Sequence, residues 1–352
     1  MAKYKPYNYS QTEMIPVSLE DQLMEGTLEL AIHTLVEGRM DVSCFDERYK
    51  NDETGCKAYN PKILLKILLL GYARGINTSR KLERACRKNL VFMALSCGQR
   101  PDHSTIAAFV SSLKEEIKPL FRDVLLTCEE MKLLGGTEFS LDGCKLPSNA
   151  SKRWSGTFAT LKTKKEKLER RVGHLLSEQV KADKRDERDE QEKAARAHFV
   201  AKLKKQAAKI EDFLEKNEPK PGKQRKEVQS NVTDNESAMM TTSHGTIQGY
   251  NGQALVDAKH QVIVGGEAFG SGQDQYHLEP VLTEAQENMN AIGTDEEYFK
   301  DTLLTADMGY HSGENIKRCE EEEIDAYIPD KNYRKRNQGI GVKQSSIKVR
   351  RI

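Results

Sequence analysis

The feature that most constrains the fold is a long, highly charged helical segment that divides a strand-forming region in two. Within residues 157–217, Leu161, Leu168 and Leu175 lie seven residues apart. A second apolar group follows at spacings of three and four: Val200, Leu203, Ala207, Ile210 and Leu214. Between the two groups, residues 181–193 contain no apolar residue except Ala182. This pattern predicts a helical hairpin or a short coiled coil.

Short strand-like segments lie on both sides of this charged segment. Residues 138–142 alternate polar and apolar residues and are bounded by glycines, which predicts a short strand that ends in an acid. In residues 246–330, β-branched runs and helical spacings predict the order strand, strand, helix, strand, helix, strand. We therefore predict an α/β fold with a mixed sheet, interrupted by the charged helical segment.

The sequence pattern of the first 135 residues predicts helices only. Pro61 stands at a helix start, and the apolar residues after it recur at helical spacing. A basic helix is predicted from about residue 79 to residue 89, and Asp102 or Ser104 is expected to cap the next helix. Several short helices with a basic one among them are typical of a DNA reader of the helix-turn-helix kind. A plain helical bundle explains the pattern equally well.

Composition excludes several classes of protein. Hydrophobic residues make up 37% of the 352 residues and charged residues 31%, and no apolar run approaches the roughly 18 residues of a membrane span. The N-terminus lacks the apolar core of a secretory signal. The 7 cysteines are scattered and form no CxxC pair, which argues against a disulfide framework and a zinc site. A reducing cytoplasm is the expected compartment.

Charge is distributed unevenly along the chain. The formal net charge is +1, but residues 152–229 contain 23 Lys and Arg against 14 Asp and Glu, a net charge of +9 that leaves −8 for the rest. Residues 331–351 contain 8 basic residues and no acidic one. Segregated basic charge is typical of a protein that binds a polyanion such as nucleic acid. A solvated helical face gives the same pattern.

Two aspartates stand where predicted strands end. Asp142 ends the predicted strand of residues 138–142, and Asp307 ends a buried strand that begins at residue 302; each has a glycine within two residues. A carboxylate at the carboxyl end of a strand is well placed to face a cleft. Two such carboxylates on neighbouring strands can hold divalent cations for phosphoryl transfer. For a single aspartate of this kind, a turn cap is the common alternative.

Longer blocks of sequence indicate a family. In the helical region they are NPKILLKILLLGYARGINTSRKLERACRKNLVFMAL and PDHSTIAAF. In the strand-forming regions they are FSLDGCKLPSNAS, GYNGQALVDAKHQVIV, and TADMGYHSGENI followed by IDAYIP. In this combination and order, the chain closely resembles the DDE transposases of bacterial insertion sequences, in the group with an InsH-like N-terminal domain.

The resemblance implies a ribonuclease-H-like catalytic domain in which Asp142 is the first acid and Asp307 the second. It implies that these acids bind two Mg²⁺ (or Mn²⁺) ions. The implied partners are the terminal inverted repeats of the element and the target DNA, with the N-terminal helices helping to bind the repeats. A homodimer on DNA is expected because two ends must be brought together, and the place of action would be the bacterial cytoplasm, at the nucleoid, without a membrane.

The resemblance also implies a division of the chain into five segments. They are a helical N-terminal DNA-binding domain (1–135), the first strand and loop of the catalytic domain (136–156), the charged helical or coiled-coil insertion (157–230), the rest of the ribonuclease-H-like domain (231–330) and a basic tail (331–352).

The third acid of the family, a glutamate, has no counterpart in this chain. In the family it lies on a helix well past the strand predicted here at residues 324–328, whereas this chain stops at Ile352 in the basic tail. Glu314 and Glu320–Glu323 fall too early, between the second aspartate and that strand. We therefore expect a catalytic domain that is truncated at its C-terminus.

The main functional hypothesis is DNA transposition by metal-dependent strand cleavage and transfer of the freed 3′-OH. One alternative is a catalytically inactive, truncated transposase that acts only as a DNA-binding or oligomerising protein. A third hypothesis is an interaction protein whose function lies in the coiled coil of residues 157–217.

Candidate DNA contacts lie in two places. One group lies in the helical region and the other follows the first acid: Arg74, Arg80, Arg84, Arg87 and Lys88, and then Asn149, Lys152 and Arg153. Contacts of basic side chains with phosphates give salt-dependent and mostly nonspecific affinity. Asp257, which also matches an aspartate of the family, is interpreted as structural because turns favour aspartate.

Overall fold

The computed structural model describes residues 16–48, 57–113, 116–183, 190–222 and 226–333. The chain divides into two compact units, Met1–Leu133 and Leu134–Ile352. Among the described residues, none of the helices combines the length and the apolar character needed to cross a membrane.

The described part of the first unit is helical, as the sequence predicts. Its helices are α1 (Leu28–Gly38), α2 (Pro61–Ala73), α3 (Ser79–Lys88), α4 (Leu90–Leu95), α5 (His103–Ser112) and α6 (Ile117–Glu130). Asn60 caps α2 by accepting a hydrogen bond from Lys62 N at 2.9 Å, and Asp102, rather than Ser104, caps α5 by accepting from Thr105 N at 2.7 Å. Side-chain acceptors of this kind satisfy backbone donors that the first helical turn leaves unpaired.

Helix α2 lies at the centre of the first unit. Ile63, Leu64, Ile67 and Leu70 are all buried, and α1, α3, α4 and α5 pack around them in one apolar cluster. Lys66 is buried as well, but its Nζ lies 2.9 Å from Glu37 Oε1, which neutralises its charge. A helix that is apolar on nearly all sides can only be stable when it is enclosed in this way.

The second unit is built on a mixed sheet, as predicted. Its strands are β1 (Glu138–Pro147), β2 (Ser155–Gly156), β3 (Ser230–Asn231), β4 (Ala238–Thr242), β5 (Gly245–Asp257), β6 (Val262–Phe269), β7 (Leu303–Ala306) and β8 (Asp325–Tyr327). The main sheet has the order β4-β5-β1-β7-β8, with β6 also paired to β5. The pairs β4–β5, β5–β6 and β1–β5 are antiparallel. The pairs β1–β7 and β7–β8 are parallel.

Helices α9 (Leu278–Ala291) and α10 (Gly313–Glu321) connect the later strands. Helix α9 packs closely against β6: a Cβ atom added to Gly265 of β6 would lie only 2.7 Å from the Cβ of Ala285 of α9. Phe139 of β1 packs edge-on against Phe299, with ring centroids 4.8 Å apart. This packing buries one face of the sheet.

The charged segment forms two long helices, α7 (Phe158–Asp183) and α8 (Glu190–Lys216). They run antiparallel, because Lys165 contacts Glu211 and Arg196 contacts Glu178. Their facing residues form two buried clusters, one of which contains Leu161 and Ile210 and the other Val172 and Leu203. The short β2–β3 pair joins the two ends of this hairpin to each other.

Strand β1 is longer than the predicted strand of residues 138–142. It continues to Pro147 because β5 pairs with it over nine positions, from Phe139↔Asp257 to Pro147↔Gly249. Asp142 therefore lies within the strand instead of at its end. The long partner strand supplies hydrogen bonds that a local sequence pattern cannot reveal.

Candidate active site

Asp142 and Asp307 lie at neighbouring positions on two parallel strands. The register of β1 with β7 ends at Leu141↔Ala306, so the next position on each strand is an aspartate. The backbone remains extended through Asp307, with φ −76° and ψ 172°. Because paired strands lie about 4.8 Å apart, the two aspartates stand side by side at the carboxyl end of β7.

The two carboxylates project from the same face of the sheet. Ser140 and Thr305 form the register pair two residues earlier, and their hydroxyl oxygens are 2.8 Å apart. Side chains alternate along a strand, so Asp142 and Asp307 share the face on which these hydroxyls meet. Phe139 and Leu304 point to the opposite, buried face.

Each carboxylate is held by one backbone N–H and keeps an oxygen for another partner. Gly143 N donates to Asp142 Oδ1 at 2.7 Å, and Gly309 N donates to Asp307 Oδ1 at 2.7 Å. Both side chains are exposed. Asp307 thus caps the turn of residues 308–310, as the alternative interpretation predicted, without using its second oxygen. Exposed carboxylate oxygens side by side are the donors that Mg²⁺ and Mn²⁺ favour.

A third carboxylate, Asp274, lies close to Asp307 and was not anticipated from the sequence. A Cβ on Gly309 would lie 2.8 Å from Asp307 Oδ1 and 3.0 Å from Asp274 Oδ2. The two carboxylates therefore approach each other across a position where a side chain would not fit. This close approach explains why the turn after Asp307 carries a glycine.

Asp274 is the acceptor of a polar network that crosses the sheet. Its Oδ1 accepts hydrogen bonds from Asn251 Nδ2 at 2.7 Å, Gln253 Nε2 at 3.1 Å and Lys145 Nζ at 3.1 Å. Gln253 Oε1 in turn accepts from the hydroxyl of the buried Tyr310. The network therefore joins β1 and β5 to the turn that follows Asp307.

The charges and hydrogen bonds of this network shift the pKa values of Tyr310 and Asp274 in opposite directions. Burial raises the pKa of Tyr310, and the negative charges of Asp274, Asp142 and Asp307 raise it further. Burial by itself would raise the pKa of Asp274, but hydrogen bonds from Asn251 and Lys145 outweigh it and lower that pKa below its ordinary value. The tyrosine hydroxyl stays protonated, so it can donate its hydrogen bond.

We expect Asp274→Asn to destabilise the second unit by about 1–3 kcal/mol at pH 7, the range for hydrogen bonds to a charged group. Since the folded-state pKa of Asp274 is lowered, its stabilisation is complete above the ordinary value of about 3.9 and is lost as the pH falls below it. Urea unfolding of both proteins at pH 7 and near pH 3 would measure this, with Asp295→Asn as an exposed control. An equal loss of stability at both pH values would contradict the assignment.

The glutamates of α10 lie apart from the aspartate pair. Glu321, Glu322 and Glu323 line a separate cavity together with residues of α9 and Lys300. Among the described residues, no three or more His, Cys, Asp or Glu side chains are grouped so that they could hold a metal ion. The donors that fit a divalent cation here are the two carboxylates of Asp142 and Asp307.

The candidate DNA contacts of the first unit fall into two groups. Arg80, Arg84 and Lys88 are exposed and lie four residues apart, on one face of α3. Arg74 forms an ion pair with Glu29, and Arg87 forms one with Glu83 at 2.7 Å. The structure thus brings three of the five predicted cations together, while the other two are engaged within the unit.

The candidate contacts after the first acid lie in the turn that leaves β1. Asn149, Lys152 and Arg153 are all exposed. The turn is anchored to the sheet, because Ser148 N donates to Gln248 O at 2.9 Å and Asn231 Nδ2 donates to Ser151 O at 3.0 Å. These residues therefore stand on a fixed loop, and their role in DNA binding stays a prediction.

Comparison with known protein families decides the affiliation of the chain. Residues 17–112 match a family described as a transposase domain, and residues 234–351 match the family described as the transposase DDE domain. The chain belongs to the DDE transposases of insertion sequences. No curated protein and no solved structure matched the chain.

The two matches place the candidate residues of this DDE transposase differently. Asp274 and Asp307 lie inside the DDE-domain match, whereas Asp142 and the helical hairpin lie between the two matches. The pairing of β1 with both β5 and β7 therefore joins Asp142 to the matched region. Family membership indicates DNA transposition by an enzyme of the nuclease and transferase class, and such enzymes typically use divalent metals.

Proposed function

We propose that this transposase cleaves DNA at the 3′ ends of its element and joins the freed 3′-OH to target DNA, on a ribonuclease-H-like domain. The observation that carries the proposal is the adjacent pair Asp142 and Asp307 on parallel strands. The sheet supports it, since β1, β5 and β6 are successive antiparallel neighbours and β7 and β8 follow in parallel order on the other side of β1. Ligands of open α/β sheets bind outside the carboxyl ends of such strands.

Asp142 and Asp307 would hold the divalent metal with the carboxylate oxygens that their backbone hydrogen bonds leave free. Bound Mg²⁺ supplies Lewis-acid stabilisation and lowers the pKa of the attacking water or hydroxyl in phosphoryl transfer. The chain itself holds the two carboxylates in register through the β1–β7 pairing. The network of Asp274, Gln253 and Tyr310 supports the turn that carries Asp307.

The proposed partners are the terminal inverted repeats and target DNA. Exposed cations on α3 and in the turn after β1 would contact phosphates, which fits the sequence-independent part of DNA affinity. A homodimer would bring two element ends together, and the work would take place on the nucleoid in the bacterial cytoplasm.

Strand cleavage of the element's own ends tests the proposal. The full chain is incubated with supercoiled plasmid that carries the DNA flanking its gene, with Mg²⁺, with Mn²⁺ or with EDTA. We expect metal-dependent breaks at the element ends that expose 3′-OH groups. A chain that binds this DNA but leaves it uncut with either metal would overturn the catalytic proposal and favour the DNA-binding alternative.

A further inference from the structure

The charged ends of two lysines lie over the ring of the only tryptophan, Trp154, at the base of the helical hairpin. Lys164 Nζ of α7 lies 5.0 Å from the centroid of the Trp154 ring, and Lys209 Nζ of α8 lies 5.2 Å from it. Both distances are within the range of favourable cation–π contacts. The ring therefore fixes one cation from each helix at the same place.

The backbone around Trp154 is well anchored. Val232 N donates to Trp154 O at 3.0 Å, and Asn231 Nδ2 donates to Ser155 Oγ at 2.8 Å. Lys164 Nζ donates to Arg153 O, and Lys209 Nζ donates to Thr233 Oγ1 at 3.3 Å. The partners of both ammonium groups are thus neutral oxygens and the aromatic ring, and neither group forms an ion pair with an acid that the structure describes.

The positive charge of Arg153 lies close enough to Lys164 to affect its pKa. Its pKa is lowered, first by burial and then by the positive charge of Arg153. At the start of α7, Glu227 accepts a hydrogen bond from Phe158 N at 2.5 Å and is engaged there. An anion that approached Lys164, Lys209 and Arg153 would relieve this repulsion.

From Trp154, one cationic row extends along each helix. Lys164, Lys167 and Arg171 follow each other at spacings of three and four, and so do Lys202, Lys205 and Lys209. Residues at these spacings share one side of a helix. Because Lys164 and Lys209 meet at one ring and the helices are antiparallel, both rows lie on the same side of the hairpin, which we call the basic side.

In the part of the chain that the structure describes, the exposed cations of the basic side are not neutralised by ion pairs. Lys167, Arg171, Lys202 and Lys205 are exposed, and no ion pair joins any of them to a described acid. The acids that flank the rows are already paired: Glu178 with Arg196 near the far end, and Asp212 with Lys216 at 2.6 Å near the base.

On the opposite side of the hairpin, acids lie among the cations and form ion pairs with Lys165. Lys165 pairs there with Glu211 across the two helices and with Glu169 along α7 at 3.6 Å. Lys162 and Lys204 are exposed on this side, among Glu211, Glu215 and Glu169. Lys165 is therefore neutralised on this side, whereas Lys167, Arg171, Lys202 and Lys205 of the basic side form no ion pair with a described acid.

We infer that the basic side of the hairpin is a binding surface for the phosphate backbone of duplex DNA. Seven residues of helix give each row a length of roughly 10 Å, and packed helices place the rows about 8–10 Å apart. Lysines act as mobile point charges, which suits backbone phosphates better than base edges. The inference rests on the proposed function and adds a DNA surface outside the aspartate pair.

The salt dependence of DNA binding by the full chain tests this inference. A labelled random duplex of about three helical turns is titrated at several NaCl concentrations with the wild type, with Lys167→Gln/Lys205→Gln, and with Lys162→Gln/Lys204→Gln. The second double variant is a matched control, since it also removes one exposed lysine from each helix. Trp154, Lys164 and Lys209 remain intact, so the base of the hairpin is undisturbed.

We expect the basic-side variant to reduce the slope of log K against log[salt] by about 2, at roughly 0.9 per lost phosphate contact. Its affinity near 0.1 M salt should fall about tenfold, whereas the control should stay within twofold of the wild type. Equal slopes for both variants, with wild-type DNA binding intact, would overturn this inference alone. Failure of the wild type to bind any DNA would overturn the proposed function as well.

Discussion

Asp142→Asn is expected to lower metal-dependent strand cleavage at the element ends by at least about 100-fold, with little change in fold or DNA affinity. Asparagine keeps the shape and the acceptor for Gly143 N, but it removes the negative charge that a hard divalent cation requires. Misplacement of reacting groups by even ~1 Å can cost ~10²-fold in rate. The initial rate of plasmid nicking measures the loss, and a gel-shift titration checks that DNA binding persists.

Asp307→Asn should have an effect of the same size, and the double variant should be no slower than either single one. Such non-additivity is the mark of residues that act as a unit. Asp295→Asn is the matched control, since Asp295 is an exposed carboxylate whose Oδ1 accepts a hydrogen bond from Glu297 N, in a separate turn. Cleavage by Asp142→Asn at the wild-type rate would remove Asp142 from the site.

Asp257→Ala is expected to destabilise the second unit by about 3–5 kcal/mol, the largest stability effect that we predict. Asp257 is fully buried. Its Oδ2 accepts hydrogen bonds from Gly135 N and Gly136 N, both at 2.8 Å, and its Oδ1 accepts from Lys259 N at 2.9 Å. Alanine would leave three backbone donors without their charged acceptor, at a cost of about 1–3 kcal/mol each before relaxation.

Urea unfolding at neutral pH measures this effect, with Asp295→Ala as an exposed control. Asp257→Asn should fall between the alanine variant and the wild type, because its single amide oxygen can replace only part of the acceptor. If Asp257→Ala unfolded at the wild-type urea midpoint, the structural interpretation of this residue would be wrong. A folded Asp257→Asn protein should still cleave DNA, since Asp257 pairs with Phe139, three positions before Asp142 on β1, and its carboxylate accepts hydrogen bonds from Gly135, Gly136 and Lys259.

Local patterns in the sequence predicted most of the secondary structure. The start of α2 at Pro61, a capped start for α5, the helical nature of residues 157–217 and the order of β5, β6, α9, β7, α10 and β8 follow from spacing, proline and glycine positions and side-chain acceptors. These signals act over a few residues, so they can be seen in a sequence. The short β2–β3 pair, the strand β4 and the continuation of β1 to Pro147 were not predicted, because they depend on partners far along the chain.

The candidate site likewise contains residues that local sequence patterns predicted and one that they did not. Asp142 and Asp307 were predicted from strand-end aspartates and from the resemblance to DDE transposases, and their roles as metal ligands stay predictions. Asp274 carried no such signal, since it precedes α9 in a polar loop. Its part in the site exists only because the fold brings Lys145, Asn251 and Gln253 to one carboxylate oxygen.

By itself, the sequence determined the α/β class, the helical first unit, the inserted charged hairpin and the family, because each depends on local spacing or on blocks of residues read in order. Only the tertiary structure decided that Asp142 and Asp307 stand side by side, since the β1–β7 register joins positions 165 residues apart. It also decided on which side of the hairpin the uncompensated lysines lie. Net charge is a property of composition, whereas its pairing with acids depends on which side chains the fold brings into contact.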